Sequence, residues 1–290
     1  MDFKLYHGDC VNVLKEIELN SVHAVVSDIP YGINYDDWDI LHNNKNSALG
    51  GSTEHQKSLG SLFKRRGKPI NGWSSEDKQI PKEYQEWCSR WGFMLYDILK
   101  PGGSVLLFTG RRYMHRCIVA LEDVGFNLRD IIAWDKVVAP FRAQRVSCVF
   151  ERRGDIENSE KYSDLRLGNL APVFEPIVWL QKPYKQGDTL TDNLLNNGVG
   201  CFNSSVFQNN LITFRNQILK EDKVHPTQKS VDLMCKLIEL VTLEGQTVLD
   251  PFMGSGSTGV ACRNLNRNFI GIELNEEYYK VSKKRINISG

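Results

Sequence analysis

Three short apolar runs in this chain each end on an acid: Val22–Ser27 on Asp28, Thr247–Leu249 on Asp250, and Phe269–Ile272 on Glu273. Runs of this length bounded by turn signals read as buried strands, and helical patterns separate them. In the first segment Lys82–Lys100 reads as a helix stopped by Pro101-Gly102-Gly103, and Ser104–Phe108 as the strand that follows. Arg111–Val124 then reads as a helix ending at Gly125, and Leu128–Trp134 as a further strand. In the last segment Val231, Met234, Cys235, Ile238 and Val241 recur at helical spacing ahead of the second acid-tipped strand. Asn275 caps a final helix whose Glu276 and Glu277 sit early and whose Lys283, Lys284 and Arg285 sit late, matching the helix dipole. Strand and helix in alternation predict an α/β fold, a doubly wound, mostly parallel sheet whose ligands bind beyond the carboxyl ends of its strands. The three acids then face one crevice.

Between these segments the pattern changes. Residues 137–224 are rich in Asn, Gly and aromatics, with a strand-like Pro176–Gln181 and no strong helical period, and read as an inserted recognition lobe. Residues 1–136 and 225–290 are expected to form the two halves of the main domain. A polar loop over 36–80, long enough to be functional or mobile, carries the basic cluster Lys64-Arg65-Arg66-Gly67-Lys68. With 41% hydrophobic and 24% charged residues the chain can bury a substantial core, and its formal net charge of +1 neither demands nor excludes a polyanionic partner. Seven cysteines with no C-x-x-C pair argue against a disulfide framework and a zinc site, and predict reduced, mostly buried thiols. No apolar run is long enough for a membrane span and no signal-peptide pattern opens the chain, so a cytosolic protein is expected.

The turn Asp250-Pro-Phe-Met-Gly-Ser-Gly-Ser-Thr258 lies between a strand and a helix. Glycines there let the backbone approach a ligand, and the helix N-terminus offers free N–H donors. Glu273, ending the next strand, is placed to accept hydrogen bonds from a ribose diol. Gly254, Gly256 and Gly259 also satisfy G-x-G-x-x-G, which by itself fits a nicotinamide dinucleotide, or a tight turn of no chemical meaning, equally well. A second motif, Ser27-Asp28-Ile29-Pro30-Tyr31-Gly32, follows the first acid-tipped strand, and His225-Pro226-Thr227-Gln228-Lys229 precedes the last segment.

With these three motifs, in this order, the chain resembles the β-class amino-methyltransferases of DNA. In that family the catalytic tetrapeptide, usually Asp-Pro-Pro-Tyr, comes before the recognition domain, and the cofactor-binding glycine turn lies near the C-terminus. Trp134-Asp135-Lys136 and Phe174-Glu175-Pro176 extend the resemblance weakly through the middle. It implies a Rossmann-like methyltransferase fold with permuted motif order, S-adenosylmethionine as cofactor, no metal, and double-stranded DNA as substrate. Pairing into a homodimer and a companion restriction endonuclease are implied in the same way.

The resemblance assigns Asp28, Ile29, Pro30 and Tyr31 to catalysis. An exocyclic amine on a base is a poor nucleophile because its lone pair is delocalised into the ring. Asp28 and the carbonyl of Ile29 can accept its two hydrogens and favour a tetrahedral nitrogen. Tyr31 would stack on a base flipped from the duplex, its alternative reading being a core aromatic. Ile29 departs from the usual proline, and Pro30 still biases it toward extended backbone. Cofactor contacts are expected from Asp9, Cys10, His225, Thr227, Lys229, Asp250, Phe252, Gly254, Gly256, Ser257, Thr258 and Glu273. Asp9 reads equally as a helix N-cap, and Lys229 as a solvated helix start. Lys64, Arg65, Arg66, Lys68, Arg142 and Arg145 are candidate DNA contacts. An acidic first residue in the tetrapeptide leans toward adenine N6, since the cytosine N4 enzymes resembling this family more often carry serine there. Cytosine N4, an RNA substrate and a non-catalytic DNA-binding module remain the alternatives.

Overall fold

The computed structural model describes residues 1–33, 39, 41–43, 74–139, 143–215 and 228–287. The chain opens with β1 (Phe3–His7), α1 (Cys10–Val13) and β2 (Val22–Asp28), and resumes with α2 (Ile80–Ile98), β3 (Leu99–Phe108), α3 (Met114–Val124) and β4 (Asn127–Asp135). The middle contains β5 (Gln144–Arg145), α4 (Ser147–Glu151), α5 (Ile156–Lys161), β6 (Arg166–Leu167), β7 (Phe174–Gln181), α6 (Leu190–Asn197) and β8 (Leu211–Thr213). It closes with α7 (Val231–Val241), β9 (Thr247–Asp250), α8 (Ser257–Asn264), β10 (Asn268–Glu273) and α9 (Glu276–Asn287).

Among the described residues eight strands form one sheet in the order β1-β10-β9-β2-β3-β7-β4-β8. Every neighbouring pair is parallel except those made by β7, which runs antiparallel to both β3 and β4. The central strands are apolar on both faces because helices cover both. Val25, Val105, Leu107, Val178 and Leu180 point to the layer containing α2 and α3, with Trp91, Leu95 and Leu121. Ala24, Val26, Leu106, Ile177 and Trp179 alternate with them and meet α7 and α8 through Leu233, Leu237, Ile238 and Ala261. A mostly parallel, doubly wound α/β sheet is therefore the architecture.

Two boundaries differ from the sequence reading. The helix over 82–100 ends earlier, at Ile98, and Pro101-Gly102-Gly103 lies inside β3. The β2–β3 register jumps there, from Val22 opposite Leu99 to Ala24 opposite Ser104. Buried Leu99 starts the strand at once, and Gly102, at φ +83°, bulges outward so that its N–H donates to the Lys182 carbonyl. The helix over 111–124 begins later, at Met114, since Gly110 to Tyr113 form a turn in which the Tyr113 and Met114 N–H groups both donate to the Gly110 carbonyl.

The expected lobe over 137–224 meets a different arrangement. The strand read at Pro176–Gln181 is β7, seated in the middle of the main sheet, and β8 adds to the sheet edge beside β4. Among the described residues, only the stretch from β5 to β6, with α4 and α5 between them, builds its own small sheet. β7 is apolar at five consecutive positions, as a strand covered on both faces must be, and this left no period by which to assign it to either layer.

Candidate active site

β10, β9 and β2 are consecutive, parallel neighbours, so their carboxyl ends lie side by side. Asp28, Asp250 and Glu273 consequently line one cleft of ≈ 880 Å³, together with Asp9, the tetrapeptide and the glycine turn. All three acids share one crevice, as the strand pattern predicts.

On the glycine side the acids organise backbone. Asp250 is buried and accepts from Ser27 Oγ at 2.6 Å, Thr258 Oγ1 at 2.5 Å and the Phe252 N–H at 3.1 Å. Burial pushes its carboxyl up to about 6 in spite of these bonds. Glu273 accepts the Gly254 N–H at 2.8 Å and the Asn275 N–H at 2.8 Å, one on each oxygen. Burial raises its carboxyl as well. The turn needs its glycines for different reasons. Gly254, at φ +51°, has open space where a Cβ would stand, whereas at Gly256, φ +81°, a Cβ would meet Ser282 Cβ at 2.9 Å. Phe252 packs against Trp87 and Trp91, and Trp87 and Arg90 join the lining. Asp9 is the N-cap of α1, accepting from the Val11 N–H at 2.8 Å, and also lines the cleft. Cys10 is buried, and desolvation pushes its thiol up to about 12.

On the tetrapeptide side distant segments converge. Ile29 is 2% exposed, belongs to the core on the α2 face and lines the cleft. Tyr84 Oη donates to the Pro30 carbonyl at 3.0 Å. Buried Asp39 accepts the Gly32 N–H at 2.7 Å and the Ile33 N–H at 3.0 Å, and Gly32, at φ +66°, leaves room for the Tyr84 ring. The turn around Tyr31 is thus held by three hydrogen bonds from two side chains, Tyr84 and Asp39.

Asp28 has both oxygens engaged. Lys229 Nζ lies 2.6 Å from Oδ2, and Tyr31 Oη lies 3.0 Å from Oδ1. Glu175, at the head of β7, receives the same two donors: Lys229 Nζ at 3.1 Å and a short hydrogen bond from Tyr31 Oη, both at Oε1. Its other oxygen meets Lys136 Nζ at 3.3 Å. Two acids and two lysines balance formally. Burial raises the Asp28 carboxyl above its ordinary value, with the pull of Lys229 opposing. At Glu175 burial also disfavours charge, yet Lys229, Tyr31 and Lys136 outweigh it and push the carboxyl down to about 2. Lys229 is held above its ordinary value because the two carboxylates overcome the cost of burial, and burial with both acids keeps Tyr31 a phenol.

Lys229, expected as a cofactor contact, here bridges two carboxylates, and Ser257 Oγ donates to its carbonyl at 2.9 Å. His225, Thr227, Lys64, Arg65, Arg66, Lys68 and Arg142 lie outside the described residues. Arg145 is exposed in β5. Glu175, Lys136 and Asp39 were not singled out from sequence as site residues. The signal for Glu175 was an acid heading an otherwise apolar strand. Asp39 offered none, being one of several acids in a polar stretch. Among the described residues no group of His, Cys, Asp and Glu is arranged to hold a metal, and no helix is long and apolar enough to cross a membrane. All seven cysteines are free, and four are buried.

Comparison with known proteins gives the same picture. A solved structure of M1.HpyAVI in complex with SAM superposes with a TM-score of 0.57 at 25% identity, covering 98% of this chain and 99% of that one. The cytosine-N4-specific PvuII DNA methyltransferase gives a TM-score of 0.62 at 18% identity, over 98% and 86%, a likeness of fold. Among curated proteins, the Type II methyltransferase M.HindIII of Haemophilus influenzae is 51% identical over 98% of this chain and 95% of its own length. The Type II methyltransferase M.HpaI of Haemophilus parainfluenzae is 27% identical over 99% and 75%. The family model described as DNA methylase, of the N6/N4 group, matches residues 22–284, a span that includes the tetrapeptide and the glycine turn: the chain belongs to the N6/N4 DNA methylase family.

Proposed function

We propose that the protein transfers a methyl group from S-adenosylmethionine to adenine N6 in duplex DNA, on a base flipped from the helix. The observation that carries the reading is the placement of the Asp28 carboxylate and the Gly254 turn in one cleft. The cleft suits the cofactor. Each Glu273 oxygen accepts one backbone N–H and keeps a lone pair for a ribose hydroxyl, Gly254 leaves open space at the turn, and Phe252 and Trp87 offer aromatic surface. When bound, the sulfonium supplies an electrophilic methyl group.

Asp28 and the Ile29 carbonyl would accept the hydrogens of the target amine and turn its lone pair out of conjugation. Tyr31 would stack on the base. As the nitrogen gains the methyl group, one of its hydrogens leaves as a proton, which the Asp28 carboxylate accepts and passes to solvent. The acid at the head of the tetrapeptide supports adenine over cytosine. The basic cluster Lys64–Lys68, Arg142 and Arg145 would contact phosphates, and the Type II designation of the relatives supports a companion restriction endonuclease. Mass spectrometry of hydrolysed DNA from cells expressing the protein tests the target: N6-methyladenine is expected, and N4-methylcytosine without it overturns the assignment.

A further inference from the structure

We infer that Glu175 is a positioning residue, a second carboxylate that draws Lys229 and the Tyr31 hydroxyl away from Asp28 so that Asp28 can engage the target amine. The inference rests on methyl transfer at Asp28, whichever base carries the amine.

The resting geometry poses the problem. A carboxylate whose two oxygens are bonded to an ammonium at 2.6 Å and a phenol at 3.0 Å has its charge largely compensated. It holds little attraction for an incoming amine. The same two donors already touch Glu175, so release from Asp28 leaves neither unpaired. Tyr31 has a single hydroxyl proton and lies nearer Glu175 than Asp28, so giving it wholly to Glu175 frees Asp28 Oδ1. Lys229 Nζ lies 2.6 Å from one acid and 3.1 Å from the other, and only a small swing of its side chain exchanges them. Its backbone stays fixed through the Ser257 bond to its carbonyl.

The surroundings favour such an exchange. The ammonium sits over the Phe108 ring, 4.9 Å from its centroid, and over the Tyr31 ring at 5.7 Å, so it remains solvated by aromatic faces while it moves. Lys136 holds the far oxygen of Glu175 at 3.3 Å and keeps that carboxylate ionised and oriented. Glu175 pairs with Trp134 across the β4–β7 ladder, so the strand backbone fixes its position. When positive charge develops on the amine nitrogen, an uncovered Asp28 faces it and Lys229 no longer competes.

Single-turnover transfer of tritium from labelled S-adenosylmethionine to DNA, measured across pH, tests this. Glu175→Gln is expected to slow transfer tenfold or more while cofactor affinity by calorimetry stays within twofold. Because Lys229 then remains on Asp28 alone, the pH at which activity appears moves to lower values as the plateau falls. In a Lys229→Met background, where only the Tyr31 hydroxyl is left to withdraw, adding Glu175→Gln costs at least threefold less than it does in the parent. Glu175→Asp, which keeps the charge, recovers part of the lost rate and supplies the measurement should the Gln variant fail to fold. Equal losses in both backgrounds, an unshifted pH profile, or parental rates from Glu175→Gln overturn the proposal. A parent protein that modifies no DNA overturns the methyltransferase reading, and this proposal with it.

Discussion

The two ends of the cleft hold their acids in different ways. On the glycine side, Asp250 and Glu273 bind backbone N–H groups and hydroxyls largely of their own turn: Phe252 and Thr258 for one, Gly254 and Asn275 for the other. On the tetrapeptide side, Asp28 is met by Lys229, 201 residues away, and shares Tyr31 with Glu175 from the inserted β7. The first arrangement is a scaffold, with neutral donors fixing the shape of a loop. The second is a charge network built from three separate segments, in which donors have alternative partners. These different constructions suit the roles proposed for them, a rigid cradle for a cofactor and an adjustable grip on a reacting group.

The contrast is broken most directly at Asp28. Asp28→Ala should reduce tritium transfer to DNA by roughly a hundred- to a thousandfold, on the scale of losing a group aimed at transition-state charge. Cofactor binding by calorimetry should stay close to the parent's, because the glycine side is untouched. Comparable loss of cofactor binding would show that the two ends are not separate. Asp39→Ala, which leaves the Gly32 and Ile33 N–H groups unpaired and loosens the turn behind Tyr31, should lower single-turnover transfer by roughly ten- to a hundredfold. A change confined to cofactor affinity would contradict that placement.

Asp250 sharpens the other side. Its folded pKa is about 6, above an unfolded value near 3.9, so its contribution to folding is present in full below about 3.9 and is lost as pH rises through 6. Asn carries no charge to desolvate. The stability of Asp250→Asn relative to the parent, measured by urea unfolding, should therefore climb between pH 4 and 7 by about 2 kcal/mol. A difference that stays flat over that window would refute the raised value. The smallest effect is expected at Gly254. Gly254→Ala has open space and bears only the left-handed backbone cost of about 1–2 kcal/mol. Gly256→Ala should cost more, as its methyl group must also displace Ser282. Thermal unfolding of the pair gives the ranking, and the reverse order would mean that α9 does not press on this turn.

Much of this was legible in the chain. The acid-tipped strands, the glycine turn and the Asn275 cap are local devices, in which a few adjacent residues carry both the hydrogen bond and its partner. The strand over 176–181 was recognisable as a strand, but its place inside the sheet was not, since an apolar run has no period to name its neighbours. Lys229 was legible as a site residue through its motif, and its partners were not. An ion pair between residues 28 and 229, with a shared acid at 175, exists only once β7 is inserted beside β3 and the end of the chain is folded back against β2.

The sequence by itself thus determined the strands, the turns and the one edge of the sheet where its acids gather, because short-range geometry and burial suffice for these. The tertiary structure alone decided which charges face one another there. Electrostatic pairing depends on distances of a few ångströms between segments hundreds of residues apart, and no local pattern encodes them.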